Sequence, residues 1–221
     1  MEKVTYQLNG IYDERTIKAA KELGVNRFGF DFRPRSLNFI QQHLFLDLSK
    51  SFLGSEKIIL EFENEKDFII KKIVDDFKVS FENEIVLSFN CDQDIEYYRS
   101  LECPFMIVFR PWFKAVDFYK IKNFRGFIFD EVFLRELYSA NKIETFSANF
   151  HGHWYEAQRK NNYELIFHTS WDSDFEESIL LYFDIDVHVV RIDTQVETCF
   201  RNVNLSILKN WFQLTNSTNS L

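Results

Sequence analysis

Eight times along this chain of 221 residues, a short run of β-branched and aromatic residues gives way to a longer segment with apolar residues at helical spacing. Strands alternating with helices form parallel βα units, because a parallel partner strand has to be reached by a crossover. The strand-like runs are residues 4–8, 27–32, 57–62, 84–89, 104–109, 126–129, 164–167 and 187–192. The intervening helical segments are 13–23, one within 36–52, 65–77, 92–101, 113–121, 173–183 and 205–213, with a polar, frayed tail over 215–221. Asp13 suits an N-cap and Gly24 a helix stop. Pro111 ends the fifth strand, and Asp172 or Ser173 caps the helix after the seventh. Phe68, Ile69, Ile73 and Phe77 have the spacing of one helix face. The pattern predicts an α/β fold: a single (β/α)8 TIM barrel of eight parallel strands. At 221 residues the chain sits at the short end of the roughly 200–250 such a barrel takes. No stretch rich in Pro, Gly or Ser divides it, so residues 1–221 read as one domain.

Composition excludes several function classes. The 26 basic and 34 acidic residues give a net charge of −8, which repels nucleic acid and anionic membrane, and no basic run with interleaved aromatics offsets it. The 26 phenylalanines read as core packing. Cys91, Cys103 and Cys199 are odd in number and widely spaced, as in a reduced, cytoplasmic protein. No signal pattern opens the chain and no apolar run reaches the length of a membrane span.

Two segments carry a resemblance. Gln7-Leu8-Asn9-Gly10-Ile11 and the stretch from Leu23 to Ile40 resemble the opening of phosphoribosylanthranilate isomerases, which read K-I-C-G-I and then L-G-A-D-A-x-G-F-x-F-x-P-x-S-x-R-x-I. Gly10, Gly24, Gly29, Phe30, Phe32, Pro34 and Ser36 match. The resemblance implies the same barrel and an Amadori rearrangement in tryptophan synthesis, converting an aminoaldose phosphate to an aminoketose. Phe127-Ile128-Phe129-Asp130 looks like the family segment that carries the general acid, so Asp130 takes that position. The family's base, a cysteine after the first strand, is Asn9 here, and the arginine after Pro-x-Ser is Asn38. A side-chain amide is no base near neutral pH.

The family also cradles the substrate phosphate on glycine-bearing loops after strands seven and eight. Here those places hold His168-Thr169-Ser170-Trp171 and the segment from Arg191 to Glu197. The six glycines lie at 10, 24, 29, 54, 126 and 152, outside both loops. Glycine lets backbone approach an anion closely, and Asp193 adds repulsion. The resemblance further implies a long active-site loop within 139–154, in the extended sixth unit 131–163.

In barrels of this kind chemistry sits at the C-terminal ends of the strands. Those ends read Asn9, Asp31 and Arg33, Glu61 to Asn64, Asn90 to Asp92, Arg110, Asp130 and Glu131, His168 to Ser170, and Arg191 to Thr194. The candidate ligand-binding residues are Arg33, Arg35, Arg110, His168, Thr169, Ser170, Arg191, Asp193 and Thr194, with Asp130 and Asn9 at the acid and base positions. An inward Arg191 needs a carboxylate, since a lone buried charge is very costly; Asp130 and Glu61 are the candidates. Cys91 reads as a buried thiol or a nucleophile without a placed histidine. His151-Gly152-His153 lacks third and fourth ligands at a telling spacing, and no nucleotide, zincin or hydrolase motif occurs. No metal and no cofactor are expected.

The reading is therefore a divergent isomerase-like barrel that has lost the parent reaction, binding a small molecule at its mouth or serving a non-catalytic role, with monomer and homodimer both open. The alternatives are a working isomerase with a replaced base, and new chemistry at Asp130, Arg110 and Arg191.

Overall fold

In the computed structural model, which describes residues 5–90, 93–112, 114–171 and 174–218, eight parallel strands close a ring. They are β1 (Thr5–Asn9), β2 (Arg27–Asp31), β3 (Lys57–Phe62), β4 (Ile85–Phe89), β5 (Phe105–Val108), β6 (Phe124–Asp130), β7 (Glu164–His168) and β8 (Val187–Arg191), each paired with the next in chain order. Closure is made by β8 on β1, in register from Thr5 with Val187 to Asn9 with Arg191. This is the predicted barrel.

The helices are α1 (Glu14–Glu22), α2 (Gln42–Ser49), α3 (Asp67–Lys78), α4 (Ile95–Ser100), α5 (Ala115–Phe118), α6 (Glu131–Ser139), α7 (Ile143–Asn161), α8 (Glu176–Leu180) and α9 (Leu205–Thr218). Asp13 caps α1 through Thr16 N at 2.9 Å, as its position suggests. The candidate caps Asp172 and Ser173, and Cys91, lie outside the described residues.

Three expectations need correction. The segment 139–154 is not a loop. Asp130 ends β6 and caps α6 directly, and α7 follows after a turn at Asn141, whose φ is 54°. The buried residues of α7, Ile143, Ser147, Phe150 and Trp154, recur every three or four positions, a helix face diluted by polar neighbours. His151 and His153 therefore ride on a helix. Secondly, the C-terminal helix runs to Thr218 instead of ending at 213. Thirdly, a small antiparallel pair, β9 (Glu197–Cys199) and β10 (Asn202–Val203), stands between β8 and α9.

Strand alternation sorts the residues by size. Phe28 and Phe30, Phe127 and Phe129, and Phe167 face the helices and join the large aromatic core. The positions between them face the barrel axis. At mid-height these are Ile59, Val86, Met106, Ile128, Ile166 and Val189, an apolar plug. Below it, Arg27 forks onto both oxygens of Glu164 at 2.8 Å, and Lys57 reaches the same carboxylate at 3.1 Å. Burial alone would raise the Glu164 carboxyl; Arg27 and Lys57 outweigh it and hold it down to about 2. The upper end of the plug is the floor of the mouth.

Candidate functional site

Strand register sets the neighbours at the mouth. Asn9 lies beside Arg191, Asp31 beside Glu61, and Asp130 beside His168. Gly29 makes room for this layer: a Cβ there would stand 2.2 Å from Asn9 Oδ1. Asn9 accepts from Gln7 Nε2 at 2.8 Å and donates to Glu61 Oε1 at 3.1 Å. Both ends of its amide are thus fixed.

Arg191, which needed a carboxylate, meets two. Its Nη1 donates to Asp31 Oδ2 at 2.9 Å, and its Nη2 donates to Glu61 Oε1. Arg33, expected to bind ligand, instead forks onto Asp31, with Nε donating to Oδ1 at 2.8 Å and Nη2 to Oδ2. Burial pushes the Asp31 carboxyl up, but the two guanidinium groups more than reverse this and hold it below the usual carboxylate range. Asp130, the other candidate partner of Arg191, spends Oδ1 on the amide of Val132 at 2.9 Å.

Asn9, Arg33, Glu61, Asp130 and Arg191 line a crevice of about 100 Å³ with Gln7, Ser88 and Asn90. His168 lines it as well, and its ring has no hydrogen-bond partner among the described residues. Burial, aided by Arg191 and Arg33, pulls this imidazole down to about 3, so it is neutral at physiological pH.

Beside the crevice, Glu131 fastens the segment that follows β7. Its Oε2 accepts from Ser170 N at 2.8 Å, Ser170 Oγ at 3.0 Å and Thr169 Oγ1 at 3.2 Å, while Oε1 takes Arg135 Nε at 2.6 Å. The donors expected to hold a ligand anion are engaged by an internal carboxylate. Asp193 borders a shallow depression that adjoins the crevice and shares Asp130, His168 and Arg191 with it, and it accepts from Gln195 N at 2.9 Å. Arg110 donates to the backbone oxygen and Oδ1 of Asn90 at 3.1 and 3.0 Å. Arg35 and Thr194 are exposed and line neither cavity. Asn38 is not at the crevice either: its Nδ2 donates to Ile192 O at 2.6 Å, tying the turn after β2 to the end of β8.

Of the candidates, the crevice gathers Asn9, Arg33, Asp130, His168 and Arg191. The adjoining depression holds Thr169, Ser170 and Asp193. Gln7 and Ser88 were missed; both face the axis by strand alternation with Asn9 and Val86, and that spacing could have found them. Among the described residues no group of three or more His, Cys, Asp or Glu is placed to hold a metal ion, and no helix is long and apolar enough to cross a membrane.

No protein-family model matches the sequence, and no curated protein matches it either. Solved structures do match in fold. The phosphoribosyl anthranilate isomerase of Thermus thermophilus superposes with a TM-score of 0.66 at 12% identity, covering 97% of this chain and 100% of that one. The Thermotoga maritima isomerase gives 0.66 at 13%, covering 98% and 99%. TrpF from Jonesia denitrificans gives 0.65 at 12%, covering 98% of each. Citrate synthase SbnG also matches, at 0.57 and 10% identity over 99% and 93%. The chain therefore has the barrel fold of the phosphoribosylanthranilate isomerases. At such identities the likeness speaks for fold, and a second activity on the same fold underlines that function is decided at the site.

Proposed function

We propose that this isomerase-like barrel does not catalyse the phosphoribosylanthranilate rearrangement, and that its mouth binds a small polar molecule. One observation carries the reading. The residue at the family's base position is an amide whose oxygen already accepts from Gln7 and whose nitrogen already donates to Glu61. It has neither the basicity nor the freedom to remove a proton from carbon. One feature agrees with this: Glu131 engages the hydroxyl and amide donors after β7.

The competing reading, a working isomerase with a relocated base, draws on the register pair Asp130 and His168. Its weakness is that an imidazole pulled down to about 3 is a feeble proton acceptor. We also place the protein in the cytoplasm, on the free thiols of Cys103 and Cys199.

The test is turnover of phosphoribosylanthranilate by the purified chain, with growth rescue of a tryptophan-requiring isomerase-deletion strain alongside it. The expected result is none in either. Efficiency on the order of 10⁴ M⁻¹s⁻¹ or above makes the competing reading correct.

A further inference from the structure

We propose that the crevice takes a small protonated amine that also carries a hydroxyl group, and that it rejects phosphate. The proposal rests on the mouth being a small-ligand site and adds the charge and size of the ligand.

Charge decides most of it. The two guanidinium groups lining the crevice are already neutralised, Arg33 by Asp31 and Arg191 by Asp31 and Glu61. What remains is acceptor. Glu61 is 6% exposed, and its Oε2 is buried without a hydrogen-bond partner. A carboxylate oxygen out of water with no donor is a costly arrangement, and here the group borders a cavity from which a donor can come. Asp130, three strands away round the ring, has Oδ1 engaged by the helix cap. Its Oδ2 has no partner among the described residues. An ammonium group brings three donors and no acceptor. It can reach Oε2 once the Glu61 carboxyl turns toward the crevice, and it offsets the surplus negative charge of Asp130.

The β7 side of the crevice asks for something else. The neutral imidazole of His168 offers one N–H and one lone pair, the complement of a hydroxyl group. A second cationic centre there would meet Arg33 and Arg191. The ligand therefore has one charged end and one neutral polar end.

Size fixes the scale. A crevice of only about 100 Å³ calls for a minimal ligand with both ends, and ethanolamine, with about four non-hydrogen atoms, is such a molecule. Ethylene glycol has the same atom count without the charge, and inorganic phosphate is only slightly larger with the opposite charge. These three probes separate charge from volume.

Isothermal titration calorimetry on the full chain tests this. A four-atom ligand reaches at best tens of micromolar, roughly, so ethanolamine should bind in the range from there to low millimolar. Ethylene glycol should bind at least about tenfold more weakly and phosphate should give no heat of binding. Asp130→Asn is the decisive variant, since Asn caps a helix as well as Asp while its charge is gone. It should weaken ethanolamine about tenfold and leave the thermal midpoint in place. Glu61→Gln should weaken it too, at some cost to folding because Arg191 loses a partner. No ethanolamine binding at millimolar concentration, equal binding of the diol, binding of phosphate, or an unchanged affinity in Asp130→Asn each overturns the proposal. Turnover of phosphoribosylanthranilate would instead overturn the functional reading, so the two failures are distinguishable.

Discussion

Arg191, at the end of β8, reaches across two strands to donate to Glu61 on β3, and it bonds Asp31 on the way. The pair ties one side of the barrel mouth to another, as Arg27 and Glu164 do at the opposite end. The geometry also explains why neither guanidinium lining the crevice, Arg33 or Arg191, is left without a carboxylate.

Replacing Arg191 with Met should therefore destabilise the fold. Asp31 is fully buried and Glu61 nearly so, and removing one member of a buried pair costs about 3–5 kcal/mol. Arg33 still covers Asp31, so we expect the lower end, about 3 kcal/mol, in urea unfolding. Adding Glu61→Gln should recover part of the loss. A single-variant loss below about 1 kcal/mol, the ordinary value of an exposed pair, would show that the bond contributes little.

Gly29 should tolerate no side chain while Asn9 is present. Its Cβ would meet Asn9 Oδ1 at 2.2 Å and Asn9 Cα at 3.0 Å. Gly29→Ala should cost about 1–3 kcal/mol by overpacking, and less in an Asn9→Ala background, where the nearer clash is gone. Equal costs in both backgrounds, measured by thermal unfolding, would place the strain elsewhere.

The barrel was legible because its signal is local and repeated. Each strand carries its own alternation, and β3 falls at residues 57–62 as read from sequence. The sixth crossover was not legible, because α7 has a weak apolar face and the family resemblance pointed to a loop. The mouth was legible as a set of polar strand ends. The cost of a buried guanidinium showed that Arg191 needs a carboxylate, with Asp130 and Glu61 both open, but not that its partners are Glu61 and Asp31. Which groups spend themselves on one another was not legible. Arg33 folds back on Asp31, and Glu131 seizes Ser170 and Thr169. Such choices depend on angles between strands that spacing does not encode.

His168 gives the stability a pH signature. Its folded value of about 3 lies below the unfolded 6.5, so between those values the unfolded chain binds more protons. Stability is then flat above pH 6.5 and falls as the pH drops below it. The lowered carboxyls Asp31 and Glu164 lose their contribution further down, from the ordinary carboxylate range to their lowered values. From pH 6.5 to about 4.5 the slope should approach 1 kcal/mol per unit, somewhat under the full 1.36, and His168→Gln should flatten it. A slope that survives the substitution assigns the effect to another group.

Restoring the missing base should not restore the reaction. Asn9→Cys puts a thiol at the end of β1, but that position now sits between Gln7 and Glu61, and a carboxylate beside a thiol disfavours its ionised form. The substrate phosphate also lacks its anchor, because Glu131 Oε2 already accepts the Ser170 amide and hydroxyl. One defect acts on the transition state and the other on substrate capture, so their effects should multiply. We expect Asn9→Cys to show no turnover above background. Adding Glu131→Gln should free those donors only in part, because the amide oxygen still accepts, and should likewise give no useful rate. Recovery by Asn9→Cys alone to within about 10²-fold of an ordinary enzyme's 10⁴–10⁸ M⁻¹s⁻¹ would mean that the mouth binds the phosphorylated substrate after all, and that the amide at position 9 was the single obstacle.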